Sequence, residues 1–345
     1  MSLTRDWWLP RLTIRTALLI PASWLFRLAV ALRRMLYRTA VFDSVSLPVP
    51  VVVVGNLTVG GSGKTPLVIA LVSAMRARGY SPGVISRGYG RFAGNGVDPN
   101  SPLAVRPEGD ASRTGDEPLL IARATEAPVF VAVDRVRAGR ALLEAHPEVD
   151  LIISDDGLQH YGLARDVDIA VFDERGAGNG YMLPAGPLRE PLSRGTGLTA
   201  LVYNGSDDDA SGNGLHQRFE AMHPMKLASR PCYRLTDPEQ VGEAARLPMH
   251  GPVAAVAGIG NPERFFATLR RCGVAASEHA FPDHHAYTQE DLAAIPAAVI
   301  IMTEKDALKC ASFGDERIWV LPVAAQIGAA FYDLIQERLR GPKAA

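Results

Sequence analysis

The sequence predicts an α/β protein: a parallel sheet covered by helices on both faces, a second, smaller α/β lobe, and a helical N-terminal segment. The first observation is that apolar, β-branched runs alternate with helical stretches. These runs occupy residues 51–54, 83–85, 129–133, 151–153 and 169–172. Such uninterrupted runs are typical of strands buried on both faces of a parallel sheet. The second observation is a new strand, turn and helix pattern that begins at Pro252.

The chain of 345 residues is long enough for two domains besides a short N-terminal segment. We place the segment at 1–43, the first lobe at 44–235 and the second at 236–345. The net charge is −1 and the isoelectric point is near 6.7, so no general basic field indicates nucleic acid as a partner. The three cysteines are far apart and lack CxxC spacing, which favours buried thiols over disulfides or a zinc site. No protein partner is implied.

The N-terminal segment is basic and apolar. Residues 1–42 contain many arginines but only one acidic residue, Asp6, and tryptophans and aliphatic residues lie between the arginines. The longest uncharged stretch, residues 16–26, is too short to span a membrane as a helix. Arginines on both sides of it argue against a cleaved signal peptide. One interpretation is an amphipathic helix packed on the protein's own core. We favour a helix in the anionic surface of a membrane, because it explains both the arginines and the tryptophans. Arg33, Arg34 and Arg38 near its end would face lipid headgroups.

Residues 51–66, VVVVGNLTVGGSGKTP, join a buried strand to a glycine-rich loop and then to a helix. The glycines allow the backbone N–H groups to point at an anion, and the start of the helix adds its positive end. Lys64 is expected to reach the β- and γ-phosphates of a nucleotide, and Thr65 to place its hydroxyl on Mg²⁺. Thr58 stands where the usual pattern has its first glycine. The predicted nucleotide-binding residues of this loop are Thr58, Val59, Gly60, Gly61, Ser62, Gly63, Lys64 and Thr65.

Residues 149–157, VDLIISDDG, form a hydrophobic strand that ends in two carboxylates. In nucleotide-binding sheets such a strand directs its terminal acid toward the metal. Mg²⁺ binds one or two carboxylates together with phosphate oxygens and water, so Asp155 and Asp156 are predicted metal ligands. The alternative is that these residues only form a turn after a strand. The phosphate-binding loop upstream favours the metal site.

Further polar clusters lie near the predicted strands. SRGYG at 86–90, GDEP at 115–118 and LPAGPLREP at 183–191 come just beyond strands, where open α/β sheets bind their ligands. Each could be turn chemistry alone. FPDHH at 281–285 lies in the second α/β unit, and two histidines after an aspartate are a better candidate for chemistry than a lone histidine. The polar, glycine-rich stretch at 204–217 is predicted to be a loop insertion.

Taken together, the motifs resemble one known family. GNLTVGGSGKTP, SRGYG, GDEP, DDGLQH, LPAGPLREP, AGIGNPERFF, FPDHHAY and TEKDALK occur in this order on the chain, which closely resembles the tetraacyldisaccharide 4′-kinases of Gram-negative bacteria. The resemblance runs from the basic N-terminal segment to about residue 310. It implies a membrane-associated P-loop kinase with two α/β/α lobes. It also implies transfer of the γ-phosphate of ATP to the 4′-hydroxyl of a lipid A disaccharide 1-phosphate, at the cytoplasmic face of the inner membrane.

The resemblance also implies a proton acceptor. A sugar hydroxyl is a poor nucleophile at neutral pH, so a carboxylate that takes its proton is useful. In this family the Asp of GDEP is the proposed base, which corresponds to Asp116. The first histidine of the DHH motif is thought to orient it, which corresponds to His284, with His285 as the less favoured alternative. Because Asp116 and His284 fall in different lobes, we expect the site to lie in a cleft that closes on ATP.

The remaining roles concern phosphate and metal. Lys64 would stabilise charge on the transferring phosphoryl group, and Arg189 is a candidate phosphate clamp because a guanidinium suits phosphate oxygens. The expected ligands of Mg²⁺ are Thr65, Asp155, Asp156 and Glu190. The alternative functions are a membrane-recruited P-loop ATPase, acting as a switch or partitioning factor, and a nucleotide-dependent scaffold. Neither needs the base and histidine that GDEP and DHH supply.

Overall fold

The computed structural model describes residues 3–89, 98, 100–205, 215–219, 221–247 and 251–340. Gly90 of the SRGYG cluster and residues 206–214 of the expected loop insertion lie outside this part of the chain. The strands are β1 Val51–Gly55, β2 Pro82–Ser86, β3 Leu103–Val105, β4 Val129–Val131, β5 Leu151–Asp155, β6 Val167–Asp173, β7 Ala200–Asn204, β8 His223–Ser229, β9 Cys232–Arg234, β10 Asp237–Gly242, β11 Val253–Ala257, β12 Ser277–Ala280, β13 Val299–Thr303, β14 Ile318–Leu321 and β15 Val323–Ile327.

Helices separate most of these strands. They are α1 Leu3–Asp6, α2 Ile14–Leu18, α3 Ile20–Arg38, α4 Lys64–Ala77, α5 Ala111–Thr114, α6 Asp116–Thr125, α7 Arg135–Ala145, α8 Leu215–Arg218, α9 Pro262–Arg271, α10 Gln289–Ala293, α11 Glu304–Cys310 and α12 Ala329–Arg340. The alternation of buried strands and helices confirms the predicted α/β class.

In the described residues the strands form two sheets. The larger has the order β15-β8-β7-β6-β1-β5-β2-β4-β3, and the smaller has the order β10-β9-β14-β13-β11-β12. The interior of the larger sheet is parallel, with β1 between β5 and β6. Its edge strands β3 and β15 are antiparallel to their neighbours, which differs from the uniformly parallel sheet that we expected. These two strands pair on one side only and are partly exposed, so they do not show the continuous apolar pattern of the interior strands.

The division of the chain between the two sheets differs from the expected boundary at residue 236. β9 already belongs to the smaller sheet, while β15 returns to the larger one. Phe331 and Ile335 of α12 are buried in the core of the first lobe. The chain therefore crosses between the lobes twice, and the two crossings are hydrogen-bonded to each other, because Arg230 N donates to the carbonyl oxygen of Pro322 at 2.9 Å.

The N-terminal segment folds as three helices, of which α3 is the longest. It is anchored at Ser23, whose hydroxyl donates to the carbonyl oxygen of Met182 at 2.7 Å. A stripe on the outer side of α3 is exposed, including Trp24, Leu25 (70% exposed) and Leu28 (65%). Among the helices that the structure describes, none combines the length and apolar character needed to cross a membrane.

Candidate active site

The phosphate-binding loop occupies residues 56–63, between the end of β1 and the start of α4. Gly60 and Gly63 have φ angles of +91° and +89°, a conformation that L side chains rarely adopt. The loop is held from outside by Asn204 at the end of β7, whose Nδ2 donates to the carbonyl oxygen of Ser62 at 2.9 Å. A methyl group at Gly63 would overlap this amide nitrogen. The glycine is therefore required both by its conformation and by the close approach of Asn204.

The start of the loop is paired with the LPAGPLREP segment. Val59 N donates to the carbonyl oxygen of Pro187 at 2.9 Å, and Thr58 forms a β-bridge with Leu188. Thr58 thus lies in the loop as expected, with a backbone role. This pairing positions the neighbouring Arg189 beside the loop, where its own N–H donates to the carbonyl oxygen of Leu57 at 2.7 Å.

Lys64 and Arg189 converge on Asp156. The Nζ atom of Lys64 lies 3.4 Å from Asp156 Oδ1, and Nη1 of Arg189 lies 3.1 Å from Oδ2. Burial alone would raise the pKa of Asp156, but the two cations hold it well below its usual range. The two positive side chains therefore reach one small volume at the open end of the phosphate-binding loop. A phosphate group there could be bound by both.

The chain neighbours of Asp156, Arg189 and Lys64 are Asp155, Glu190 and Thr65, and the first two of these have buried carboxylate oxygens without a hydrogen bond. Asp155 ends β5, and its Oδ1 has no hydrogen-bond partner in the part of the chain that the structure describes. Burial, with the nearby charges of Glu117 and Asp156, raises the pKa of Asp155 to about 7. Glu190 is 1% exposed, and among the described residues neither carboxylate oxygen makes a hydrogen bond of normal geometry. Thr65, the second residue of α4, is also buried.

Asp116 and His284 meet across the two lobes. Asp116 is the first residue of α6 and is 5% exposed, and its Oδ2 lies 3.1 Å from Nδ1 of His284. Lys309 and Lys305 of α11 lie 3.5 and 3.8 Å from the same oxygen. Burial opposes ionisation, but the hydrogen bond from His284 and the two lysines lower the pKa of Asp116 to about 2. The carboxylate is therefore ionised at neutral pH.

His285 has a different environment. Its Nε2 lies 3.0 Å from Oδ2 of Asp291, and its ring packs against Phe281 and Tyr287. The structure thus brings His284, and not its neighbour, to Asp116. The φ angle of His284 is +60°, a conformation uncommon for residues with a side chain, and it turns the two adjacent rings to separate partners.

Two cavities meet at this site. The first, about 190 Å³, lies between the start of α4 and the second lobe, and its apolar lining includes Ile69, Leu120 and Phe265. The second, about 1040 Å³, is bordered by α3 and by His284. Four residues line both cavities, namely Gly61, Lys64, Glu117 and Lys305. A reaction between molecules bound in the two cavities would therefore take place between Lys64 and Lys305.

The sequence interpretation missed several residues of the site. Arg175 donates to the carbonyl oxygens of Gly61 at 3.1 Å and Gly260 at 3.2 Å, so it joins the phosphate-binding loop to the second lobe. Its guanidinium is held by Asp173 and lies 4.0 Å from the centre of the Trp8 ring. Asp173 ends β6 as Asn204 ends β7. The rule that ligands bind at the carboxyl ends of parallel strands could have indicated both positions.

The arrangement of these residues distinguishes between two classes of nucleotide-binding protein, an ATPase switch and a kinase. A switch needs a phosphate-binding loop, whereas this chain also places a histidine at a second, larger cavity, with an ionised carboxylate behind it. That combination defines a kinase with two substrates.

Comparison with known proteins identifies the family. The family model described as Tetraacyldisaccharide-1-P 4′-kinase matches residues 15–340. The tetraacyldisaccharide 4′-kinase of Janthinobacterium sp. (strain Marseille) is 49% identical over 98% of this chain and 96% of its own length. That of Dechloromonas aromatica (strain RCB) is 48% identical over 95% of this chain and 94% of its own length. The chain belongs to the tetraacyldisaccharide 4′-kinase family, and it is an ATP-dependent kinase of lipid A biosynthesis.

A solved structure supports the same assignment. The crystal structure of the "apo" form of LpxK from Aquifex aeolicus in complex with ATP superposes with a TM-score of 0.73 at 28% identity. The match covers 94% of this chain and all of that chain. The predicted family and fold class are thereby confirmed, and the alternative of an ATPase switch or a scaffold is not supported.

Proposed function

We propose that Asp116 is the general base that removes the proton from the 4′-hydroxyl of the lipid acceptor. The observation that carries this proposal is the 3.1 Å contact between Asp116 and His284, the latter of which borders the larger cavity. The carboxylate is ionised and can accept a proton, and His284 orients it. The hydroxyl oxygen then forms a bond to the γ-phosphorus of ATP as the bond to the leaving ADP oxygen breaks.

The same geometry allows a second proton route. His284 borders the larger cavity, while Asp116 lies behind it. A hydroxyl in this cavity could pass its proton to Nε2 of His284, with Asp116 holding the opposite nitrogen in the required tautomer. The two routes predict different rates for variants of His284 and are separated by experiment below.

Lys64 and Arg189 would stabilise the negative charge of the transferring phosphoryl group. Both side chains reach the position of the Asp156 carboxylate, so both can bind phosphate oxygens in the same volume. This role is electrostatic, and it needs no covalent chemistry from the protein.

Mg²⁺ would be held by Thr65, Asp155, Asp156 and Glu190, and when bound it would neutralise charge on the β- and γ-phosphates. The buried carboxylate oxygens of Asp155 and Glu190 that make no hydrogen bond are of the type that a hard cation prefers. Among the described residues no three carboxylate, histidine or cysteine side chains converge as a metal-binding group, so Mg²⁺ would depend on the phosphates and water for much of its shell. Mg²⁺ commonly takes only one or two carboxylates and completes its shell with water and phosphate oxygens.

The N-terminal helices would place the enzyme on the anionic cytoplasmic surface of the inner membrane, where the acylated acceptor resides. The different surroundings of the two sides of α3 support this proposal. Phe26, Val30 and Arg33 face the larger cavity, whereas Leu25 and Leu28 face outward. The exposed Arg33 also lies 5.5 Å from the centre of the Tyr161 ring. One helix would thus border both the membrane and the acceptor cavity.

The test is ATP turnover with and without a tetraacyldisaccharide 1-phosphate in mixed micelles. We expect ADP formation to depend on the lipid and to match, mole for mole, the formation of a 4′-phosphorylated product. ATP consumption that ignores the lipid, with no phosphorylated product, would contradict the proposal.

A further inference from the structure

Lys305 occupies an unusual position in the second lobe. It is the second residue of α11, and its side chain is only 15% exposed. Within the described chain it is the one cationic side chain of the second lobe that lines both cavities. Lys64 is the cation that lines both cavities from the first lobe. The two lysines therefore face one volume from opposite sides of the cleft.

The surroundings of Lys305 keep it charged despite its burial. Its Nζ lies 3.1 Å from Glu117 Oε1, 3.7 Å from Asp283 Oδ1 and 3.8 Å from Asp116 Oδ2. Burial alone would lower the pKa of Lys305, but these three carboxylates raise it above its usual value. Nζ also lies 3.4 Å from Nε2 of His284. An ammonium group that is both buried and charged is an effective partner for an anion.

We propose that Lys305 is a further catalytic residue, which contacts the transferring phosphoryl group during the reaction. The argument is positional and rests on the proposed function. We place ATP in the smaller cavity, which residues 61–65 of the phosphate-binding loop and α4 line, and the acceptor hydroxyl in the larger cavity. The phosphoryl group must pass through the volume that the two cavities share. Its charge is spread over three equatorial oxygens in the transition state, and a compact ammonium with three donors can bind oxygens that Lys64 does not reach.

A simpler role must be distinguished from this one. Lys305 could merely help to keep Asp116 ionised, through the 3.8 Å separation. Lys309 offers a matched control, because it lies one turn further along α11 and is slightly closer to Asp116, at 3.5 Å. Lys309 lines neither of the two cavities. A role through Asp116 alone therefore predicts equal effects for the two lysines.

The experiment compares Lys305→Met, Lys305→Arg and Lys309→Met in steady-state kinetics with saturating lipid acceptor. Binding of ADP alone and of ADP with fluoroaluminate, which mimics the transferring phosphoryl group, is measured on the same samples. We expect Lys305→Met to lower kcat about 10²-fold to 10³-fold, the usual effect of removing one transition-state donor. Its ADP affinity should stay within a few-fold while the added affinity from fluoroaluminate is lost. Lys309→Met should lose at most a few-fold, and Lys305→Arg should recover part of the rate.

Three results would overturn the proposal. Equal losses of kcat in both methionine variants would show that Lys305 acts only through Asp116. A raised KM for ATP with kcat unchanged would assign it to ground-state nucleotide binding, and unchanged kinetics would remove it from the reaction. If Lys305→Met does not fold, the unaltered enzyme with ADP and fluoroaluminate decides by crystallography. Nζ within about 3.5 Å of a fluorine supports the contact, and a more distant Nζ refutes it. The base is tested separately: full activity of Asp116→Asn would refute the role of Asp116 without changing the result for Lys305.

Discussion

Asp116 and His284 are 168 positions apart in the sequence, yet their side chains lie 3.1 Å apart across the cleft between the lobes. The contact joins the start of α6 in the first lobe to the loop after β12 in the second. Any motion that opens the cleft must break it, so the pair is complete only when the lobes are together. The predictions that follow begin from this pair.

Replacing Asp116 by Asn should lower kcat about 10²-fold to 10⁴-fold, because the amide cannot accept the proton of the hydroxyl. The affinity for ATP should change by no more than a few-fold, since a base acts chiefly in the transition state. Both quantities are measured by steady-state kinetics and by equilibrium binding of ATP. A loss of ATP affinity that matches the loss of kcat would instead identify Asp116 as a nucleotide or metal ligand.

Replacing His284 and replacing His285 should have very different effects on kcat. His284→Asn removes the partner of Asp116 and is tolerated at a φ of +60° better than most replacements. If Asp116 is the base, kcat should fall less than in Asp116→Asn. If Nε2 of His284 is the base, the two variants should be equally slow. His285→Asn is the matched control and should keep its kcat, because His285 pairs with Asp291; a larger loss there than in His284→Asn would contradict the assignment.

Stability should depend on pH through Asp116. Its pKa is about 2 in the folded protein, below the ordinary value of 3.8, so folding favours the ionised form. This contribution, about 2 kcal/mol, is fully present above about pH 4 and is lost as the pH falls from 4 to 2. The free energy of unfolding, measured with urea, should fall less between pH 4 and pH 2 for Asp116→Asn than for the unaltered protein. If it falls equally for both proteins, the contact is weak in solution.

A glycine pair tests the phosphate-binding loop. Gly63 and Gly79 have nearly the same φ, +89° and +91°, but a methyl group at Gly79 meets no atom within 4 Å. Alanine at either position should cost about 1–2 kcal/mol of stability through backbone strain. Only Gly63→Ala should also abolish ATP binding, because the methyl group overlaps Asn204 and displaces the loop. Calorimetry of ATP binding checks this, and retained binding in Gly63→Ala would show that the loop adapts.

The outer stripe of α3 should control membrane association. Changing Leu25 and Leu28 together to Glu should release the protein from vesicles that contain anionic lipid, because it removes apolar area and adds negative charge. Val241→Glu is the control, since Val241 is an exposed apolar residue of the second lobe. Sedimentation with vesicles at low and high salt is the measurement. Unchanged sedimentation of the double variant would place the membrane contact elsewhere.

Much of the sequence interpretation depended on local patterns in the chain. The strands β1 and β5, the phosphate-binding loop and the paired aspartates were predictable because each depends on residues that are neighbours in the chain. The smaller lobe was also predictable from its strand, turn and helix pattern. The contact of Asp116 with His284 could be expected only from the family resemblance, since no local pattern relates two residues in separate lobes.

The parts that were not predicted depend on tertiary contacts. Asn204 and Arg175 support the phosphate-binding loop from positions that are distant in sequence. The end of a predicted strand could have marked the position of Asn204, but the contacts that both residues make with the loop follow only from the tertiary structure. The return of β15 to the larger sheet was missed because an edge strand pairs on one side and carries a mixed pattern.

The path of the chain has a consequence for the way the protein is made. α12 packs against α4, the helix that follows the phosphate-binding loop, and contributes Phe331 and Ile335 to the core of the first lobe. At a translation rate of about 5–20 residues per second, the second lobe can fold while the first still lacks its final helix. The first lobe cannot finish burying its core until α12 has left the ribosome. A nascent chain that stalls before residue 329 would carry the whole phosphate-binding sequence and lack the helix that packs against α4.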